Sequence, residues 1–130
     1  MKSVKSLIPV ATDQAPSAIG PYSQGVVAGD LLFVSGQLPI DPATGDLVKG
    51  DIAAQAAQCL DNVSAIAAEA GTDLNRAVKF SIFLTDMADF AAVNEVYASY
   101  FQDIFPARSA FQVSALPKNA AIEMEAVLAL

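Results

Sequence analysis

The chain has 130 residues, 54% hydrophobic and 16% charged, a profile that fits one folded domain over residues 1–130 and is far from that of a disordered chain. Fourteen acids against seven bases give a formal net charge of −7, and Lys2, Lys5, Lys49, Lys79 and Lys118 are scattered. The clustered positive charge that phosphate backbones need is missing, so nucleic acid is not an expected partner. With no histidine and a lone Cys59, the chain lacks a Ser-His-Asp triad, a Cys-His pair, the usual transition-metal cluster and an internal disulfide.

The start Met1-Lys2-Ser3-Val4-Lys5 is basic, but Pro9, Thr12, Asp13 and Gln14 break the apolar stretch before it reaches signal-peptide length. No run approaches a membrane span, so a cytoplasmic protein without a membrane partner is expected. Ser23 to Ala28 and Leu31 to Gly36 flank Gly29-Asp30 and read as an antiparallel hairpin. Turn formers from Pro39 to Asp46 make a loop. Asp51 is placed to cap a helix whose apolar positions run from Ile52 through Cys59, Leu60, Val63 and Ile66 to Ala70, with Gly71 ending it. Ala77 to Leu84 alternates as a buried strand. Asp86 then caps a second helix with Met87, Phe90, Val93, Tyr97, Tyr100 and Phe101 on one stripe.

Two more strands follow, one opening at Phe105-Pro106-Ala107-Arg108-Ser109 and one at Ile122-Glu123-Met124-Glu125-Ala126-Val127. In the last, both glutamates lie opposite the isoleucine and methionine, so a cation and a carboxylate can meet on one sheet surface. The order of elements predicts an α+β fold with two helices on one face of a mixed sheet. Abundant Ala, Val and Leu in so small a chain point to a homo-oligomer that covers the other face.

Pro42 and the offsets of the acids between Asp41 and Asp51 break the calcium-loop pattern, and the glycines form neither a phosphate loop nor a dinucleotide fingerprint. No metal and no cofactor are expected. Arg108 is one of two arginines, and its planar fork suits a carboxylate. Its plain reading is a structural ion pair with Glu123 or Glu125. Tyr22 reads equally as a packing residue beside the Gly20-Pro21 turn, and Asn94 as a polar position on a helix.

Taken together, Ala18-Ile19-Gly20-Pro21-Tyr22-Ser23-Gln24-Gly25, Phe33-Val34-Ser35-Gly36-Gln37, Gln58-Cys59-Leu60-Asp61-Asn62-Val63, Phe105 to Ser109, Leu116-Pro117-Lys118 and Ile122 to Ala126 resemble the Rid family, the reactive intermediate deaminases, in its RidA-like branch. The resemblance implies a chorismate-mutase-like fold and a homotrimer with clefts between subunits. It also implies hydrolysis of enamine or imine intermediates of the 2-aminoacrylate type to a 2-keto acid and ammonia, without a cofactor. By the same resemblance Arg108 holds the substrate carboxylate, Glu123 stands near the attacking water, and Tyr22, Ser35, Gly36 and Asn94 line the cleft. Tyr22 can lend a hydroxyl to the same network, and a further substrate-binding position falls just after the Arg-Ser pair, at Ala110. Many relatives carry cysteine at the last position; a role for the backbone amide leaves alanine equivalent there. The alternative is a sensor that binds a small carboxylate such as a keto acid without turnover. Ribonuclease activity, suggested for some relatives, fits poorly with the acidic charge and the missing histidine.

Overall fold

In the hairpin, Ala28 pairs with Leu31 across Gly29-Asp30, and Gly29 takes the positive φ of 61° that this tight turn demands. The computed structural model describes residues 6–130, so the basic start Met1–Lys5 lies outside the described residues. Strands β1 (Leu7–Val10), β2 (Gly25–Ala28), β3 (Leu31–Gln37), β4 (Ala77–Leu84), β5 (Ala107–Gln112) and β6 (Ile122–Ala129) form one sheet in the order β1-β2-β3-β6-β4-β5. All pairings are antiparallel except β4 with β5, which are joined through helix α2 (Phe90–Ser99). A parallel pair needs such a crossover.

Helix α1 (Ile52–Glu69) lies against β6 and β3 and also packs on α2. Asp51 caps it by accepting the Ala54 N–H at 2.9 Å. Asp86 likewise accepts from Ala88 N, but the turn it caps is a short 3-10 segment, Met87–Asp89, that leads into α2. The expected α+β arrangement is present: both helices cover one face of a mixed sheet. Between the layers lie Leu32, Leu60, Ile66, Phe80, Ile82, Leu84, Val93, Ile122, Met124 and Leu128, each fully buried. Cys59 belongs to this core, and burial, with a smaller push from the Glu123 charge, raises its thiol far above the ordinary range. Such a thiol is unreactive.

Strand β1 is an addition to the expected elements. It is only four residues long and contains Pro9, which is tolerated because β1 is an edge strand. Among the described residues the other sheet face carries no helix, and it exposes Phe33 and Phe111, the latter stacked on Phe83 at 6.5 Å.

Candidate active site

The register decides where the cation and the carboxylates go. Phe80, Ile82 and Leu84 point to the helices; they pair with Ala126, Met124 and Ile122 of β6, while Ser81 and Phe83 pair with Glu125 and Glu123. Both glutamates therefore face away from the helices, as their alternation required. Arg108 pairs with Phe80 and Ala110 with Ile82, so these two residues share the helical face. The meeting of cation and carboxylate on one sheet surface is thereby corrected: within one chain Arg108 and Glu123 lie on opposite faces. The ion pair of Arg108 with Glu123 or Glu125 falls with it.

Arg108 Nη1 instead donates to the neutral amide oxygen Oδ1 of Asn94 at 2.8 Å. Its guanidinium carbon lies 5.2 Å from the ring centre of Phe90 and 4.9 Å from that of Tyr97. Arg108, Asn94, Tyr97, Phe105 and Pro106 line a cavity of about 440 Å³. Tyr97 is buried, and its hydroxyl has no hydrogen-bond partner among the described residues. Burial raises that hydroxyl's pKa to about 12, against the opposing charge of Arg108. Among the described residues its hydrogen-bond partner is uncharged, which leaves the arginine's charge for an incoming anion.

A second cavity, of about 620 Å³, gathers Tyr22, Ser35, Gly36 and Glu123 with Lys118 and Glu125. Glu123 is half-buried, and its carboxyl is raised above the usual carboxylate range, first by desolvation and then by the charge of Glu125. Ser35 and Gly36 sit where the β3–β6 register shifts, between Val34 and Gln37. A Cβ at Gly36 would lie 2.6 Å from Glu123 Oε2 and 2.8 Å from its carboxyl carbon, so the carboxylate rests where a side chain would otherwise be. The Ser35 hydroxyl donates to Ser23 O at 2.6 Å and ties this strand to the segment bearing Tyr22.

Two buried amides shape the same cavity. Asn62 donates to Leu38 O at 3.1 Å and Ile40 O at 2.9 Å, fixing the chain beyond β3 against α1. Gln24 accepts from Thr12 N at 2.6 Å and donates to Pro16 O at 2.7 Å, holding the stretch beside Tyr22. Buried side-chain amides are kept where such backbone groups need partners. On the rim, Lys118 and Asn119 both adopt left-handed backbone, each with φ of 58°. Consecutive residues of this kind store strain, which concentrates at functional sites.

Of the residues expected at the site, Tyr22, Ser35, Gly36 and Glu123 share one cavity, and Arg108 and Asn94 share the other. Ala110 lies on the Arg108 face of β5, an edge strand that pairs only with β4 among the described residues. Sequence reading missed Phe90 and Tyr97, taken only as core stripe, and Lys118, which had no role. Their signals were present in the helical spacing around Asn94 and in the Pro117-Lys118-Asn119 turn. Among the described residues, no group of three His, Cys, Asp or Glu side chains is placed to hold a metal ion, and no helix is long and apolar enough to cross a membrane.

The family model described as Endoribonuclease L-PSP matches residues 12–130. A RutC family protein of Sinorhizobium fredii, y4sK, is 55% identical over 122 residues, covering 94% of this chain and 97% of that protein. The 2-iminobutanoate/2-iminopropanoate deaminase of Capra hircus is 49% identical over 118 residues, 91% of this chain and 86% of that one. Among solved structures, YyfA of Yersinia pestis, of the conserved Rid protein family, matches with a TM-score of 0.94 at 47% identity, covering 96% of this chain and all of that one. A sequence match spanning nearly the whole chain, on a shared fold, makes this protein a member of the Rid family.

Proposed function

We propose that the protein hydrolyses enamine and imine intermediates of the 2-aminoacrylate type to 2-keto acids and ammonia, in clefts formed between copies of the chain in a homotrimer. The observation that carries this reading is Arg108, an arginine whose side chain bonds a neutral amide rather than an acid and borders a cavity. Support comes from the half-buried Glu123 in a second cavity and from relatives bearing the name of imine deaminases. A substrate of a few heavy atoms cannot reach through a β-sheet. Both residues act on it only if Arg108 of one copy meets Glu123 of another, and the uncovered sheet face with exposed Phe33 and Phe111 gives copies a surface to join.

The chemistry asks little of the site. An enamine protonates on carbon to the imine; water adds to the C=N carbon, and the resulting carbinolamine expels ammonia as its hydroxyl becomes the keto oxygen. Arg108 clamps the carboxylate with paired N–H donors, and this fixes the C=N carbon in place. Glu123, as the carboxylate, accepts a hydrogen bond from the attacking water, takes its proton and delivers it to the departing nitrogen. A carboxyl raised from its usual range is a better base than an exposed one. Tyr22 supplies a hydroxyl to the same network, and the backbone at Ser35, Gly36 and Ala110 completes the cleft.

Ribonuclease activity, which the family model's description names, needs anchoring of a polyanion, and an acidic chain without histidine is poorly equipped for it. The test of the proposal is to add the protein to a serine or threonine dehydratase and follow keto-acid release early in the reaction. Acceleration is expected. Arg108→Ala should forfeit roughly 3–5 kcal/mol, on the order of a thousandfold in kcat/KM. Absence of acceleration, or equal acceleration by the variant, overturns the proposal; tight keto-acid binding without turnover marks a sensor instead.

A further inference from the structure

Arg108 stands on an edge strand, where a long charged side chain ordinarily samples many rotamers, and ordering it upon ligand binding costs affinity. Here one helix face holds it before any ligand arrives. Phe90, Asn94 and Tyr97 are spaced i, i+4 and i+7 and so share a stripe of α2. The guanidinium carbon is 5.2 Å from the Phe90 ring centre and 4.9 Å from that of Tyr97, both within the reach of a cation–π contact. Asn94 Oδ1 takes one N–H at 2.8 Å. The two rings fix where the guanidinium sits, the amide fixes its rotation, and among the described residues the remaining N–H groups have no other partner. A lysine, a flexible point charge without a planar fork, could not be seated in this way.

We propose that Phe90 and Tyr97 are positioning residues, an aromatic seat that orients the Arg108 fork in advance to receive the substrate's carboxylate. The inference rests on reading Arg108 as the carboxylate grip, and it adds the elements that make this grip rigid. Tyr97 also packs on Phe80 and Phe101, at 5.5 Å and 4.8 Å between ring centres, so its replacement would disturb the core as well. Phe90, only partly buried, is the cleaner probe.

Pyruvate, a stable keto acid bearing the same carboxylate, is titrated calorimetrically into the intact protein, Phe90→Leu and Phe90→Tyr, with keto-acid release from a dehydratase mixture measured in parallel. Phe90→Leu keeps apolar bulk and removes the ring. It is expected to weaken pyruvate binding about fivefold and to raise KM similarly, with kcat held within about twofold. Phe90→Tyr restores the ring and is expected to return binding to within about twofold of the parent. Equal binding by parent and Phe90→Leu overturns the seat. Weakened binding that Phe90→Tyr does not restore reduces Phe90 to packing and also overturns it, as does a parent that binds no pyruvate. A parent that binds pyruvate but accelerates no keto-acid release refutes the deaminase reading alone, and the seat is then judged on binding.

Discussion

Glu123 owes its place to a missing side chain. Because a Cβ at Gly36 would fall 2.6 Å from Glu123 Oε2, Gly36→Ala must displace the carboxylate, yet what moves is the end of a flexible side chain and not backbone. The variant is expected to keep a melting temperature close to the parent's while kcat/KM falls on the order of tenfold to a hundredfold, measured in the dehydratase-coupled assay. The raised pKa of Glu123 gives a second test. A carboxyl whose folded pKa lies above its unfolded value favours the fold fully below the unfolded pKa, and that contribution is lost as pH rises through the folded one. Glu123→Gln is therefore expected to melt higher than the parent at about pH 7.5, with the difference closing by about pH 4, in thermal scans at matched concentration. Activity should move the opposite way: the variant is inactive where it is more stable.

Helix α1 and the strands that flank the cavities follow from local chemistry, and their caps can be tested one at a time. Asp51→Ala removes the acceptor for Ala54 N–H and is expected to cost about 1 kcal/mol, read as a lower urea midpoint at fixed protein concentration. These elements were legible because each carries its own signal. The 3.6 spacing from Ile52 marks α1, Gly29-Asp30 marks the hairpin, and alternation from Ala77 and from Ile122 marks two strands. Strand β1 was not legible, since four residues containing Pro9 become a strand only by pairing with β2. Nor was the relation of Arg108 to Glu123. Alternation states which residues share a face within one strand, but the parity between β5 and β6 is set through β4, where Phe80 pairs with both Arg108 and Ala126. That register is a tertiary fact, so the resemblance could gather Tyr22, Ser35, Gly36, Asn94, Arg108 and Glu123 in one cleft while the separation of Arg108 and Asn94 from the rest within one chain could not be seen.

The chain places Glu123 and Arg108 in two separate cavities on opposite faces of its sheet and leaves Phe33 and Phe111 exposed, and the proposed function makes these cavities two halves of one cleft. In the proposed homotrimer each copy offers Arg108 to one neighbour and Glu123 to the other, as a head-to-tail ring allows. Subunit mixing tests this directly. Arg108→Ala and Glu123→Gln proteins, each expected to be inactive alone, are co-expressed or dissociated and reassembled in equal amounts, and dehydratase-coupled keto-acid release is followed. Random assembly joins an intact Arg108 to an intact Glu123 in about a quarter of the clefts, so activity near that fraction of the parent's is expected. A mixture no more active than its two components would contradict a site shared between copies.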